Sequence, residues 1–242
     1  MRFLLGAVTA FIMTIILGTI YFIWIPFDSK NKAFFFIAYW WAKAIFIATG
    51  IDVKAVGLEK LDRSKPYIYV SNHASLLDIA SVVAVIDRHV RFVAKKEISR
   101  IPIFGWSIAR ANIMIDRKRP IDAARSLERA AEGISGGESV ILFAEGTRTA
   151  DGNLLPFKRG AFALAAQAGV PVVPLTILGS YRIMRKGELR INKGAITILV
   201  DSPLDPHDYR DRQGALTLMR RVREIIERNY TKGYPLSVEV SA

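Results

Sequence analysis

From Phe3 to Phe27 the chain reads FLLGAVTAFIMTIILGTIYFIWIPF, 25 residues without a charge, and as helix they extend roughly 37 Å at 1.5 Å per residue. A short polar turn, Asp28 to Lys32, follows, and then AFFFIAYWWAKAIFIATGI, interrupted only by Lys43. Two apolar helices joined by so short a turn are predicted to form a hairpin. A cleaved signal peptide does not fit, because its apolar region spans about 7–15 residues and this run ends in Trp24 and Pro26. A charge at the position of Lys43 costs about 2.5–3.5 kcal/mol in hydrocarbon, while Tyr39, Trp40 and Trp41 beside it favour headgroup depth. The pattern predicts a shallow hairpin lying in the interface. The alternative is a two-helix anchor with Lys43 snorkelling or facing the partner helix. Both hold the rest of the chain at a membrane.

Beyond residue 50 the pattern changes. KPYIYV, HVRFVAK, ANIMI, ESVILF and VPVVPLTIL are short β-branched runs with helix-like segments between them, which predicts an α/β domain. ELRIN and GAITILV bracket an Asn-Lys-Gly turn, predicting an antiparallel hairpin and hence a mixed sheet. QGALTLMRRVREIIERNY, Gln213 to Tyr230, has apolar residues at helical spacing. No repeat or linker to a further domain interrupts this reading. The expected organisation is an N-terminal apolar hairpin, 1–50, and a single mixed-sheet α/β domain, 51–242.

Charge adds a partner to this picture. The chain carries 34 Lys+Arg against 22 Asp+Glu, and residues 51–242 alone are net +9, so the domain would be drawn to anionic lipid or another polyanion. The 242 residues include no cysteine. This excludes disulfides, thiolate metal sites and a cysteine nucleophile.

His73 and Asp78, in YVSNHASLLDIASVV, are the first candidates for chemistry. On one continuous helix, residues five apart would be turned about 140° from each other, so His73 should precede the helix. With Ser75 as N-cap, Asp78 is the third helical position and its carboxylate can reach back to the imidazole. Ser75-x-x-Asp78 also reads as a capping box that only secures the helix end. The same geometry suits a general base and its orienter, Asp78 fixing the tautomer and leaving the other ring nitrogen to take a proton. His89 and His207 lie among polar residues and read as surface groups. With no Gly-x-Ser-x-Gly elbow and no cysteine, the base would act on a hydroxyl of a substrate or on water.

Two basic strand ends are candidate anion sites. In AEGTRTADGNLLPFKRGAF, Glu145, Gly146, Thr147 and Arg148 follow a strand, and Lys158, Arg159 and Gly160 open a helix. In ANIMIDRKRP, Asp116, Arg117, Lys118 and Arg119 close a strand. A solvated basic loop accounts for Lys118 and Arg119. For Arg117 and Arg148 the strand-end position favours function, since ligands of open α/β sheets gather there.

NHASLLD resembles the Asn-His-x4-Asp motif of the glycerolipid acyltransferases, the family that includes the lysophosphatidic acid acyltransferases. KKEISRIPIFGW, NIMIDR, FAEGTRT and VPVVPL resemble the family's other blocks in the same order, over roughly residues 50–200. Ala144 stands where the family has proline, and Ala111 and Met114 where it has Gly and Phe. These departures remove no charged group and bear on acceptor or chain preference. The resemblance implies a glycerol-3-phosphate acyltransferase-like fold, His73 as general base and Asp78 as its orienter. It implies that Arg117, Glu145, Gly146, Thr147 and Arg148, with Lys95 as a further candidate, bind a glycerol-phosphate acceptor. The implied partners are the lipid bilayer, lysophosphatidic acid, and acyl-CoA or acyl carrier protein as donor, with no nucleic acid. No metal or bound cofactor is implied, and backbone N–H groups near the helix start are candidate oxyanion donors. The expected location is the cytoplasmic face of the inner membrane. Within the same chemistry another lysolipid or glycerol-3-phosphate is the alternative acceptor, and two other classes stay open: a metal phosphohydrolase using His73, Asp78, Asp116 and Glu145, and a non-enzymatic membrane-binding or lipid-transfer module.

Overall fold

The short apolar runs pair into one sheet because their side chains alternate between two apolar layers. The computed structural model describes residues 1–28, 31–86, 89–116, 126, 130–134, 137–205, 209 and 212–232. Its strands are β1 (Asp52–Val56), β2 (Ile68–Ser71), β3 (Val90–Lys95), β4 (Ile113–Ile115), β5 (Ser139–Phe143), β6 (Val172–Leu178) and β7 (Ala195–Val200). They lie in the order β1-β7-β6-β2-β5-β3-β4. Every pairing is parallel except β6 with β7. The helices are α1 (Arg2–Trp24), α2 (Lys32–Thr49), α3 (Leu77–Val85), α4 (Phe104–Ala111), α5 (Gly160–Ala168), α6 (Ser180–Ile183) and α7 (Arg212–Lys232).

Strands β2 and β6 are buried along their whole length, as central parallel strands covered on both faces must be. Ile68 and Val70 of β2 point with Val140 and Leu142 of β5 into a layer filled by Phe162 and Leu164 of α5 and Leu218, Val222 and Ile226 of α7. Tyr69 and Ile141, one residue out of phase, point into the opposite layer with Leu77 and Ala80 of α3 and Ala42 and Phe46 of α2. Period two in the strands therefore becomes three layers, with the N-terminal hairpin completing one of them.

The hairpin is formed, and it is seated on the domain along its length. Trp41 Nε1 of α2 donates to Thr14 Oγ1 of α1 at 3.1 Å, and both Asp28 carboxylate oxygens accept from the first N–H groups of α2 at 2.8 Å. Arg2 Nε donates to the Thr49 carbonyl at 3.2 Å, closing the other end. A methyl group on Gly18 would run into Ile103 Cγ2. Ile103 has φ +61°, a conformation that costs a β-branched residue about 1–3 kcal/mol unless its surroundings hold it. The close approach of α1 supplies such a hold.

The predicted hairpin of ELRIN with GAITILV does not form. Residues 188–192 make no strand, and the antiparallel pair is β6 with β7, so the sheet is mixed for a different reason. Asn192 instead donates through its backbone N–H to the Ile183 carbonyl at 2.9 Å and through Nδ2 to Arg182 O at 2.9 Å. Leu189 is 77% exposed, so a strand there would have had no apolar face to bury. Strand β1 carries no continuous apolar run, because DVKAV interrupts its apolar residues with charge. It is an edge strand, where such a pattern is tolerated.

Candidate active site

A strand that runs out into polar residues must find partners for them, and β2 ends at Ser71 and is followed by Asn72 and His73. Asn72 is buried and pairs with β6 as a strand residue would: Nδ2 donates to Ile177 O at 3.0 Å and Oδ1 accepts from Ile177 N at 2.8 Å. This fixes the chain immediately before His73. Beyond it, the His73 backbone is held from both sides by the loop after β5. Its N–H donates to Glu145 Oε1 at 2.7 Å, and its carbonyl accepts from Thr149 N at 3.0 Å. The imidazole stacks on Phe143, the last residue of β5, with centroids 4.1 Å apart and planes at 22°.

Asp78 is fully buried, and its Oδ2 lies 2.8 Å from His73 Nδ1. The same oxygen accepts from the backbone N–H groups of Ala74 at 2.7 Å and Ser75 at 2.8 Å. Helix capping and imidazole orientation are thus carried by one carboxylate atom. With two backbone donors already on it, Oδ2 is an acceptor toward Nδ1, which selects the tautomer with its proton there and leaves Nε2 able to take one. The predicted cap shifts by one position: α3 begins at Leu77, making Asp78 its second residue. Ser75 Oγ accepts from Leu77 N at 3.2 Å and donates to Met184 O at 2.8 Å, tying the helix start to the chain after α6. The N–H groups of Ala74, Ser75 and Leu77 are therefore committed within the turn.

Glu145 is 2% exposed, and its second oxygen accepts from Leu155 N at 2.9 Å. Burial pushes its carboxyl above the ordinary value, while the N–H donors of His73 and Leu155 pull it back. Its geometry is that of a brace between the two loops, not of a group facing a ligand. Gly146 has φ +68°, and a Cβ there would lie 2.9 Å from the Lys158 side chain, so Lys158 crosses directly over this turn. Thr147 is exposed and Arg148 half-buried. The Arg148 carbonyl accepts from Lys186 Nζ at 3.1 Å, and its guanidinium has no ion-pair partner among the described residues. Asp151, held down to about 2 by hydrogen bonds from Asn153 and Thr149, anchors the rest of this loop.

Parallel strands bring these residues to one edge. His73 follows β2 and Arg148 follows its neighbour β5, while Lys95 ends β3, one strand further, in register with Ile115 of β4. Lys95 Nζ lies 3.3 Å from Glu97 Oε1. Arg117 lies outside the described residues, as do Lys118, Arg119 and His207. Reasoning on the sequence overlooked Asn72, Phe143 and Thr149 as supports of the imidazole. Asn72 was marked by its place in NHASLLD and by the apolar run that it ends, but neither signal gave it a partner. The other two are visible only once β2 and β5 are neighbours.

Residues 52–178 match the model of the family described as Acyltransferase. The chain belongs to the acyltransferase family. It is 36% identical over 206 residues to the 1-acyl-sn-glycerol-3-phosphate acyltransferase BAT2, chloroplastic, of Brassica napus, covering 83% of this chain and 59% of that one. It is also 36% identical over 185 residues to the alpha form of 1-acyl-sn-glycerol-3-phosphate acyltransferase from Ovis aries, covering 72% of this chain and 64% of that one. The chain thus spans less than two thirds of these relatives' length. The crystal structure of the 1-acyl-sn-glycerophosphate (LPA) acyltransferase PlsC from Thermotoga maritima superposes with a TM-score of 0.79 at 27% identity, over 96% of this chain and 97% of that one. The similarity to that acyltransferase therefore includes the hairpin as well as the α/β domain.

Proposed function

We propose that this acyltransferase moves an acyl group from a thioester, acyl-CoA or acyl carrier protein, to the free sn-2 hydroxyl of 1-acyl-glycerol-3-phosphate, giving phosphatidic acid. The observation that carries the reading is the contact between a fully buried Asp78 and His73 Nδ1 at 2.8 Å. His73 Nε2 takes the hydroxyl proton as the oxygen attacks the thioester carbonyl; the tetrahedral adduct collapses, the C–S bond breaks, and the imidazolium returns the proton to the leaving thiolate. No enzyme nucleophile is required. Arg148 is the group we assign to the acceptor phosphate, with Thr147 and Gly146 shaping the turn beside it, and Arg117 and Lys95 extending the basic edge. The relatives named as 1-acylglycerol-phosphate acyltransferases support this acceptor.

A metal phosphohydrolase would need Asp78 and Glu145 as ligands. Asp78 Oδ2 and both Glu145 oxygens already accept hydrogen bonds that hold the site together, so metal ligation would dismantle it.

The membrane reading belongs to the same proposal. Both apolar helices are long enough to cross a bilayer, yet α1 touches the domain near both of its ends. A Cβ on Gly6 would come within 3.5 Å of Ile191, and Phe22 meets Trp106 at 6.1 Å between ring centroids. A spanning helix would leave the domain on one side only, so the arrangement supports a hairpin lying in one leaflet. Its free face, including Leu4, Phe11, Ile15 and Ile23, would be buried in lipid, with the domain on the cytoplasmic face of the inner membrane.

The decisive assay supplies the purified full-length protein with matched acyl-CoA and acyl-carrier donors and a panel of lyso-acceptors, reading free thiol and product mass. Thiol release coupled to diacyl product only with phosphate-bearing acceptors is expected. Thiol release without acyl transfer would overturn the reading.

A further inference from the structure

A cavity of about 600 Å³ opens at the amino ends of the strands, the far end of the sheet from His73. Its floor includes Val90 and Ser139, the first residues of β3 and β5. One wall is the first half of α2, with Phe36, Tyr39 and Trp40, each more than a third exposed. The rim carries Arg63 and Lys65 from the turn before β2, and His89. The His89 ring is stacked on Phe35 with centroids 4.9 Å apart.

Nothing in the acyl-transfer scheme uses this place, and its chemistry is divided. An aromatic wall belonging to the hairpin meets a cationic rim belonging to the domain. Tyr and Trp beside Lys and Arg is the composition of a surface at headgroup depth. Asp62 lies 3.7 Å from Lys65 in an exposed pair and accepts from Ser64, and Glu138 is paired with Arg91. A free phosphate would use only the rim. A diacyl anionic phospholipid uses both halves, its phosphate against Arg63, Lys65 and His89 and one chain along α2.

We infer that this cavity is a non-catalytic binding site for an anionic diacyl phospholipid, an inference that rests on the membrane reading of the hairpin. Occupancy would hold the domain at a fixed height on the bilayer through the end of the sheet opposite the reaction.

The test uses full-length protein on phosphatidylcholine vesicles containing a phosphatidylglycerol with a photoreactive acyl chain, a lipid that is neither proposed substrate nor product. Adducts are mapped by peptide mass spectrometry. The expected result is labelling concentrated in residues 33–41 and 62–66, reduced about tenfold or more in the R63Q/K65Q variant. Both replaced side chains are exposed, and an unchanged melting temperature confirms that the variant is folded. Equal labelling by a photoreactive phosphatidylcholine, or undiminished labelling of R63Q/K65Q, overturns the site. Flotation with pure phosphatidylcholine vesicles is scored in parallel: failure to float overturns the membrane reading, whereas floating without site-selective labelling overturns only the cavity.

Discussion

The two loops at the carboxyl ends of β2 and β5 use their polar groups in opposite ways. After β2, Asn72 is committed to β6, the His73 backbone to the β5 loop, and Asp78 Oδ2 to three donors. After β5, Glu145 is committed inward, but Thr147 two residues later is exposed and the guanidinium of half-buried Arg148 has no ion-pair partner among the described residues. The contrast fits the proposed task. A base must be held in one orientation before the acceptor arrives, while a phosphate-binding cation must still have donors to offer. Glu145 marks the border between the two regimes, since it shares the second loop with Arg148 and serves the first.

Removing the base should break the comparison most severely. His73→Ala is expected to lower kcat about 10²–10⁴-fold with the melting temperature unchanged. Asp78→Asn should cost similar activity and also stability, because an amide cannot accept from the imidazole and two backbone N–H groups as the carboxylate does. Turnover near that of the unsubstituted protein in either variant would remove the dyad. Arg148→Ala takes away a charge-assisted contact of about 1.5–3 kcal/mol, so KM for a phosphate-bearing acceptor should rise about 10–100-fold while kcat changes little. A phosphate-free lysolipid serves as control; an equal rise for both would assign Arg148 to the loop's structure.

Glu145→Gln should behave like the first region in spite of its place in the second. One of the two buried N–H groups loses its acceptor, at a cost of about 1–3 kcal/mol in urea unfolding. Because burial raises the folded carboxyl above 4.5, the folded chain holds this proton more tightly than the unfolded one. That contribution to stability is complete below pH 4.5 and lost as pH rises through the folded value. The stability gap to Glu145→Gln, which cannot titrate there, should therefore narrow as pH is raised above 4.5. A gap independent of pH would contradict the assignment. Lys95→Ala should show the smallest effect, with KM within about fivefold of the unsubstituted protein, since its exposed pair with Glu97 is worth about 0–1 kcal/mol. A larger rise would move Lys95 into the phosphate site.

How much could be read beforehand follows the range of each interaction. The charge-free stretch before Asp28 and the β-branched runs IYV and VVPLTIL are local patterns, and they became α1, β2 and β6. ELRIN has the turn signal but not the burial, because Asn192 found backbone partners in the chain after β6. For the site, five residues between His73 and Asp78 were enough to suggest that one precedes a helix and the other lies inside it. That Asp78 would apply one oxygen to both the cap and the imidazole depended on where the helix starts, which shifted by a residue. Glu145 stands in sequence beside Thr147 and Arg148, the proposed anion loop, yet both of its oxygens accept buried backbone N–H groups. Its inward turn is a contact across 72 residues, beyond any local pattern.

By itself the sequence determined most of the helices and central strands, that the chain is basic with two apolar helices at its start, and that a histidine and an aspartate meet at the start of a helix. Those properties depend on side-chain period, charge count and the reach of residues a few positions apart. Strand order, the antiparallel partner of β7, the brace from Glu145 to His73 and the seat of α1 on Ile103 were decided by tertiary structure. Each is a choice among partners distant in the chain, and only packing two apolar layers against one sheet determines which of them meet.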